Sequence, residues 1–166
     1  MALNNDYPLL NGIAPSFADI ALKITPDGGP ILDTKDFAAL SDGRSIEVGE
    51  QRGASGGRVM RRTAGQISNE ASITFYRSGY QKFYRELAKL APVRGNQKVL
   101  RFVHFSVQIQ HTPIGDVEIY DRRWRGVHIL GDGLNAAEGT DAGQIEVPVG
   151  VIEIVDIIDG EEIVLL

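Results

Sequence analysis

The segment 53–57 has the residue types of a hydrolase nucleophile. It reads Gly-Ala-Ser-Gly-Gly, which fits the G-x-S-x-G pattern, and Asp116 and His128 follow Ser55 in the chain order of such hydrolases. That nucleophile requires a buried parallel strand before the serine and a helix after it. Here the flanking residues are polar and basic on both sides. We therefore expect a glycine-rich loop without a catalytic residue, and an enzyme using Ser55 or Asp116 is kept as an alternative.

A second glycine-rich segment, residues 131–136, matches the loose G-x-G-x-x-A signature of dinucleotide-binding proteins. In those proteins a helix follows the glycines, and its N-terminus holds the pyrophosphate. Residues 137–143 read Ala-Glu-Gly-Thr-Asp-Ala-Gly and cannot continue as a helix with one packed face. The sequence thus predicts a surface connection here and no bound cofactor.

The three histidines have the chemistry of metal ligands but not the spacing. His104 and His111 have opposite parity in one predicted strand, so their side chains point to opposite faces, and His128 lies in another strand. The chain has no cysteine, so neither a thiolate metal site nor a disulfide framework is available. We expect no metal site.

Residues 51–65 are rich in glycine and arginine, which predicts a long, basic, flexible loop. Arginines neutralise phosphates, so the loop suits nucleic acid in principle. The stretch between Phe37 and Phe75 contains no aromatic residue on which bases could stack. The pattern therefore favours contacts with other subunits, or simple solvation, over direct nucleic-acid binding.

The net charge of -5 is unevenly distributed along the chain. Residues 44–101 hold twelve of the 17 Lys and Arg residues, whereas residues 132–166 hold nine acids and no Lys or Arg. These two regions could attract each other in neighbouring copies, or they could form two solvated faces of one monomer. The sequence leaves both interpretations open.

The elements that would position these residues are mostly strands. A length of 166 residues and 43% hydrophobic residues indicate one folded domain, residues 1–166. The N-terminus lacks a secretory signal, and no stretch is apolar enough for a membrane span, so we expect synthesis in a cytoplasm. Period-two alternation predicts strands at residues 18–24, 45–50, 66–76, 98–111, 117–130 and 145–158, and Asp159-Gly160 predicts a hairpin after the last of them.

Three local features refine this pattern. One helix, at about residues 79–91, has an apolar stripe with Ser78 as its expected N-cap and Pro92 beyond its end. The alternation is obscured around residues 122–125, which predicts a bend or bulge, and Pro148 predicts that part of its strand lies at a sheet edge or at a bulge. The strands at 66–76 and 98–111 each combine one apolar face with one polar face that is almost uncharged.

The segment 63–77, Thr-Ala-Gly-Gln-Ile-Ser-Asn-Glu-Ala-Ser-Ile-Thr-Phe-Tyr-Arg, followed by the aromatic helix, resembles bacteriophage tail-tube proteins. Residues 133–142 leading into 145–148 and 152–166 are similar to the C-terminal half of that family. The likeness covers most of residues 43–166. The chain is also similar to the tubes of type VI secretion and related contractile injection systems.

This resemblance implies a mainly β fold, an antiparallel β-barrel or sandwich with one flanking α-helix and a long loop or hairpin extension at about residues 44–66. It implies a non-enzymatic structural subunit without cofactors, whose hexameric rings stack into a hollow tube that conducts genomic DNA into the host. The implied partners are other copies of the chain and the tail sheath, baseplate and tail terminator proteins. DNA passes through without specific binding, and the protein is located in the tail of the virion, with a contractile tail favoured.

The resemblance and the polar strand faces together predict two sets of functional residues. Expected to face the lumen are Gln66, Ser68, Glu70, Ser72, Thr74, His104, Ser106, Gln108 and Gln110. Expected to make subunit or ring contacts are Arg52, Arg58, Arg61, Arg62, Glu138, Asp141 and Glu153. The alternatives are the inner tube of a type VI secretion-like or extracellular contractile injection system, and a stand-alone β-barrel binding module that uses the arginine-rich loop.

Overall fold

The computed structural model describes residues 20–52, 59–111, 120–135 and 143–165. This part of the chain is mostly antiparallel strand with one α-helix, α1 (Arg77–Leu90), which confirms the predicted fold class. The strands are β1 (Ile20–Pro26), β2 (Leu32–Thr34), β3 (Phe37–Arg52), β4 (Val59–Tyr76), β5 (Val93–Arg94), β6 (Gln97–Lys98), β7 (Phe105–His111), β8 (Tyr120–Ile129), β9 (Gly133–Asn135), β10 (Gln144–Gly150), β11 (Glu153–Ile158) and β12 (Glu161–Val164). No helix among the described residues has the length and hydrophobicity needed to span a bilayer.

Ten of the strands form one sheet with the path β2-β1-β7-β8-β10-β4-β3. The sheet has two halves, one with β3, β4 and β10 and the other with β1, β2, β7, β8, β11 and β12. The chain passes from the first half to the second between β10, which pairs with β4, and β11, which pairs with β8 and with β12. The short strand β9 pairs with β10, and β5 and β6 form a separate hairpin. Within the described residues no pairing joins β2 to β3, so this path is not closed into a barrel.

The core lies between the two halves of the sheet and is completed by α1. Phe83 of the helix packs against Phe75 of β4, with ring centroids 4.9 Å apart, and against Phe105 of β7 at 5.7 Å. Trp124 of β8 is fully buried in the same cluster. The alternation seen in the sequence therefore has a physical cause, since one face of each long strand is removed from water here.

The start of α1 differs from the expectation. The helix begins at Arg77 after Tyr76, which has no capping side chain, so the prediction of Ser78 as the N-cap is wrong. The Ser78 hydroxyl instead donates a hydrogen bond to the carboxylate of Asp36, in the segment that leads into β3. Gly79 sits so close to the Asp36 carbonyl that a Cβ would come within 2.1 Å of its oxygen. Tertiary contact, rather than local capping, fixes this helix end.

The predicted strand at 98–111 is regular only from Phe105 to His111. Gln97 and Lys98 belong to the β5–β6 hairpin, which turns at Gly95 with a φ of 62°, and Leu100–Phe102 forms one turn of 3-10 helix. This turn interrupts the alternation but still leaves Val103 buried. Apolar residues at every second position thus reached the core without a continuous strand.

The predicted loop at 51–65 is mostly strand, which corrects that expectation and confirms the alternative of a hairpin extension. β3 and β4 remain paired from Phe37 opposite Phe75 out to Arg52 opposite Val59, and residues 53–58 lie outside the described part. Gly65 was misleading as a loop signal. It lies beside a register shift, where a Cβ would come within 2.0 Å of the Glu47 carbonyl oxygen.

Three predictions about turns and bulges are confirmed. The register between β7 and β8 shifts from Phe105 opposite Val127 to Val107 opposite Trp124, which is the expected bulge. Asp159 and Gly160 have φ values of 52° and 83°, as a tight hairpin turn requires. Pro148 is paired with β4 on one side, while on its other side it falls between the pairings of β10 with β9 and with β8.

Candidate functional site

A polar surface covers the outer side of β3, β4 and β10, opposite the core. Ser72 is in register with Ser41 on β3 and with Pro148 on β10, and Glu70 is in register with Gly43 and Gly150. We call this surface the polar wall and define it as Ala39, Ser41, Gly43, Ser45, Gln66, Ser68, Glu70, Ser72, Thr74, Glu146 and Pro148.

The polar wall contains the five residues of β4 that were predicted to face a lumen, and it extends them onto both neighbouring strands. Its members are mostly small, and its charged members are Glu70 and Glu146, both acidic. The wall therefore combines mostly small side chains with a net negative charge. Sequence alternation identified the β4 residues, but the contribution of β3 and β10 depended on register, which the sequence did not provide.

The second predicted set lies on a different surface. Ser106, Gln108 and Gln110 are on the side of β7 away from the core, and β8 and β10 separate β7 from β4 in the strand order. The side-chain amides of Gln108 and Gln110 donate hydrogen bonds to Asp121 Oδ2 at 3.0 and 3.4 Å.

Cations flank this second set. Gln108 is in register with Lys23 on β1 and with Arg123 on β8, so the three side chains share one face. His104, just before β7, is exposed and its ring lies 6.0 Å from that of His128. The surface around β7 thus carries more charge than the residues of β7 alone indicate, because neighbouring strands contribute cations.

A cluster of ion pairs, which we call the anchor cluster, fixes the base of the β3–β4 hairpin to the other half of the sheet. Arg122 of β8 contacts Asp42 of β3 at 2.5 Å and Asp156 of β11 at 2.7 Å. Arg44 of β3 also contacts Asp156, at 2.7 Å, and Trp124 Nε1 donates to Asp42 at 2.8 Å. These four charged side chains are largely shielded from water, which strengthens their attraction.

This cluster was not predicted from the sequence because its members are far apart in the chain. A signal was nevertheless present, since Asp42 and Arg122 occupy positions on the core-facing side of their strands. Charged residues rarely occupy such positions unless they are paired.

The predicted contact residues have different surroundings. Arg62 is exposed on the hairpin, with its Nε 4.0 Å from Glu50 Oε1, and the backbones of Arg52 and Arg61 belong to the same two strands. Glu153 is already paired with Arg125 of its own chain at 3.2 Å. The remaining predicted residues, Arg58, Glu138 and Asp141, lie outside the described residues.

The candidate catalytic and cofactor residues do not come together in the described residues. Ser55 and Asp116 lie outside this part of the chain, while His128 packs beside His104. Within the described ranges, no group of three or more His, Asp or Glu side chains is arranged to hold a metal ion. Residues 133–135, in the middle of the dinucleotide-like signature, form strand β9.

Two tyrosines on α1, Tyr80 and Tyr84, have raised pKa values. The Tyr80 hydroxyl lies 2.6 Å from Asp132 Oδ2, and the Tyr84 hydroxyl lies 3.4 Å from the same atom. Burial and the hydrogen bond to Asp132 raise the pKa of Tyr80, and burial raises the pKa of Tyr84. Both phenols therefore stay protonated and act as structural donors that attach the helix to the segment before β9.

The fold is similar to those of several solved structures. A chain of the anti-feeding prophage (AFP) baseplate matches with a TM-score of 0.58 at 12% identity, over 89% of this chain and 97% of that one. A chain of the PVC sheath-tube complex, an extracellular contractile injection system in the extended state, matches with a TM-score of 0.57 at 12% identity, over 92% and 93%. The SPP1 tail tube matches with a TM-score of 0.57 at 12% identity, over 90% and 78%.

No protein-family model matches the sequence, and no curated protein matches it. The chain has the fold found in the SPP1 tail tube and in these contractile injection systems. This result confirms, at the level of the fold, the resemblance drawn from the sequence.

Proposed function

We propose that this chain is the structural subunit of a phage tail tube, in which rings of six copies stack into a hollow tube that conducts genomic DNA into the host cell. The inner tube of a type VI secretion-like or extracellular contractile injection system is the alternative. It is supported by the likeness to the AFP and PVC chains, whose TM-scores of 0.58 and 0.57 are similar to the 0.57 of the SPP1 tail tube. The role is structural in both cases and requires no cofactor.

The polar wall is the observation that carries this proposal. A channel that conducts DNA must not retain it, and each cation on the channel surface would add a phosphate contact to be broken. The wall consists mostly of small neutral side chains with Glu70 and Glu146 as its charged members, so none of its residues is a cation that would hold phosphate. We assign the channel side of the subunit to this wall.

This assignment separates the two sets of residues that were predicted to face the lumen. The β4 residues belong to the wall, whereas the β7 residues lie beyond β8 and β10 with Lys23 and Arg123 beside them. We expect the β7 surface to face a neighbouring subunit or solvent rather than the cargo, because its cations would hold DNA.

The β3–β4 hairpin is the proposed arm for contacts between subunits or rings. It extends past the core, and Val48 and Ile67 are exposed on it. An isolated two-stranded hairpin is only marginally stable in water, so such an arm gains stability when a partner covers it. The anchor cluster fixes its base, and Arg52, Arg58, Arg61 and Arg62 would supply charge for the contact.

Free strand edges provide a further reason to expect assembly. Within the described residues β2, β3 and β12 each have a neighbour on one side only. Unpaired edges promote association, and contacts between unlike patches generate closed rings or open helical stacks. The sheath, baseplate and terminator proteins are the further partners of the proposed tube.

Negative-stain electron microscopy of the purified protein, combined with sedimentation at several protein and salt concentrations, tests this proposal. Hollow rings or tubes would support it, and their dimensions could then be compared with phage tails and injection systems. The assembly role would be contradicted if the protein remained monomeric at every protein and salt concentration. That result would favour a stand-alone binding module.

A further inference from the structure

The solvent side of α1 and the β5–β6 hairpin after it form a strongly basic surface on an otherwise acidic chain. Residues 77–101 contain seven Lys and Arg residues and one acid, Glu86. On the helix, three of the cations recur at steps of three and four residues, and the buried residues Phe83 and Leu87 lie on another side. We define the basic surface as Lys82, Arg85, Lys89, Arg94, Lys98 and Arg101, all of which are exposed.

Within the described residues, most of these charges have no acidic partner. Lys89 pairs with Glu86 at 2.7 Å, whereas Lys82, Arg85 and Lys98 make no ion pair within the described residues. Exposed Phe102 lies beneath Arg94 and Arg101, with guanidinium carbons 5.6 and 4.6 Å from its ring centroid. The surface therefore combines uncompensated positive charge with accessible apolar area.

The C-terminal hairpin has the complementary character. We define the acidic hairpin as residues 158–165, the end of β11 together with β12. Asp159 and Glu161 are exposed and make no ion pair within the described part of the chain, while Glu162 contacts Arg125 at 2.6 Å. Ile163 and Leu165 are exposed beside these acids, and the outer edge of β12 pairs with no other described strand.

We infer that the basic surface of one copy binds the acidic hairpin of the next copy. The two surfaces carry opposite charges, and each has exposed apolar side chains that a protein partner would bury. Because two different patches meet, the contact is heterologous and propagates around a ring or along a stack. The inference rests on the proposed tube function and specifies one interface of that tube.

DNA is the competing occupant, and the position of the basic surface argues against it. Phe83 packs α1 on the core-facing side of β4, so the helix lies across the core from the polar wall. Cations placed there do not line a channel formed by that wall. Moreover, a phosphate backbone would leave Val93, which is exposed on the β5–β6 hairpin, uncovered.

A charge-swap experiment tests the interface. The basic-surface variant carries Lys82→Glu, Arg85→Glu, Lys98→Glu and Arg101→Glu, and the hairpin variant carries Asp159→Asn, Glu161→Lys and Glu162→Lys, so that each set reverses the charge of its surface. Asn is used at residue 159 because it tolerates the positive φ of 52° there. Each variant is examined for folding by circular dichroism and for association by sedimentation. The neutral changes Arg85→Gln and Lys98→Gln provide a second basic-surface variant if the first does not fold.

Each charge-swap variant alone should need at least about tenfold more protein for half-assembly than the wild type, because like charges then face each other. A chain that carries both sets of changes should recover assembly. An equimolar mixture of the two variants should also assemble, since each restores the opposite charge to its neighbour. A misfolded partner or a nonspecific loss of charge would not produce this mutual rescue.

Other outcomes overturn the inference in distinguishable ways. If the wild type forms tubes and the variants assemble equally well, the basic surface and the acidic hairpin do not form an interface, and the proposed tube function still stands. Variants that assemble normally but lose binding of a duplex DNA probe would assign the basic surface to nucleic acid. A wild-type protein that never associates would contradict both proposals, and rescue within a small closed oligomer without tubes would retain the interface alone.

Discussion

Arg122 of β8 lies between Asp42 of β3 and Asp156 of β11, with its Nη1 2.5 Å from Asp42 and its Nε 2.7 Å from Asp156. One guanidinium thus joins strands that are distant in the sequence and holds the base of the hairpin arm against the opposite half of the sheet. The ion pairs of the anchor cluster therefore help to fix the direction in which the proposed assembly arm projects.

Asp42→Ala should lower the free energy of unfolding by about 2–4 kcal/mol, because it removes the acceptor of the Trp124 N–H and one of the two carboxylates that contact Arg122. The value is below that of a fully buried pair, since the Arg122 side chain keeps 25% of its surface exposed. Denaturant unfolding measures it. Asp33→Ala, on exposed β2 with no ion pair in the described part of the chain, is the control and should change little.

Gly65→Ala should disrupt the hairpin arm and prevent assembly, because the new Cβ would come within 2.0 Å of the Glu47 carbonyl oxygen. Gly43→Ala is a matched control in the same hairpin, since its Cβ would meet no atom within 4 Å. Limited proteolysis of the arm and sedimentation of the assembled protein report the effect. Equal behaviour of the two variants would show that the arm tolerates this distortion.

Single-cysteine labelling should locate the channel, because the chain has no cysteine of its own. In assembled protein, Ser72→Cys on the polar wall should react with a small maleimide but not with one attached to a bulky particle. Asp27→Cys, at an exposed position of the turn after β1, should react with both reagents. Equal protection of the two positions, or protection of Asp27→Cys alone, would place the polar wall outside the channel.

Stability should decline above about pH 10 through the tyrosines of α1. Burial and the hydrogen bond to Asp132 raise the pKa of Tyr80, so the folded state retains a proton that the unfolded state loses near the ordinary value of 10.0. The raised pKa of Tyr80 therefore stabilises the folded state below that pH, and this stabilisation is lost as the pH rises further. Thermal melts at pH 8 to 11 of Tyr80→Phe, compared with the wild type, should show a flatter decline.

The parts of the fold that the sequence predicted are those set by local periodicity. Alternation at residues 66–76 identified both the buried residues Ile73 and Phe75 and the polar residues on the opposite side. Asp159 and Gly160 identified their own turn, because few other residues accept a positive φ.

What the sequence did not predict depends on contacts between distant segments. The hairpin arm reads as a loop because its outer strands project beyond the core and bury little, so no apolar pattern marks them. Ser78 has the residue type of a cap, yet Asp36 captures its hydroxyl. The separation of the two polar faces and the meeting of Asp42 with Arg122 follow from strand order, which periodicity does not encode.

Cryo-electron microscopy of the assembled wild-type protein tests the proposed tube in a single measurement. We expect six copies in each ring, rings stacked around an open channel, and the polar wall of β3, β4 and β10 lining that channel. Filaments without a channel would contradict it, as would a channel lined by the basic surface or a protein that forms no assembly at all.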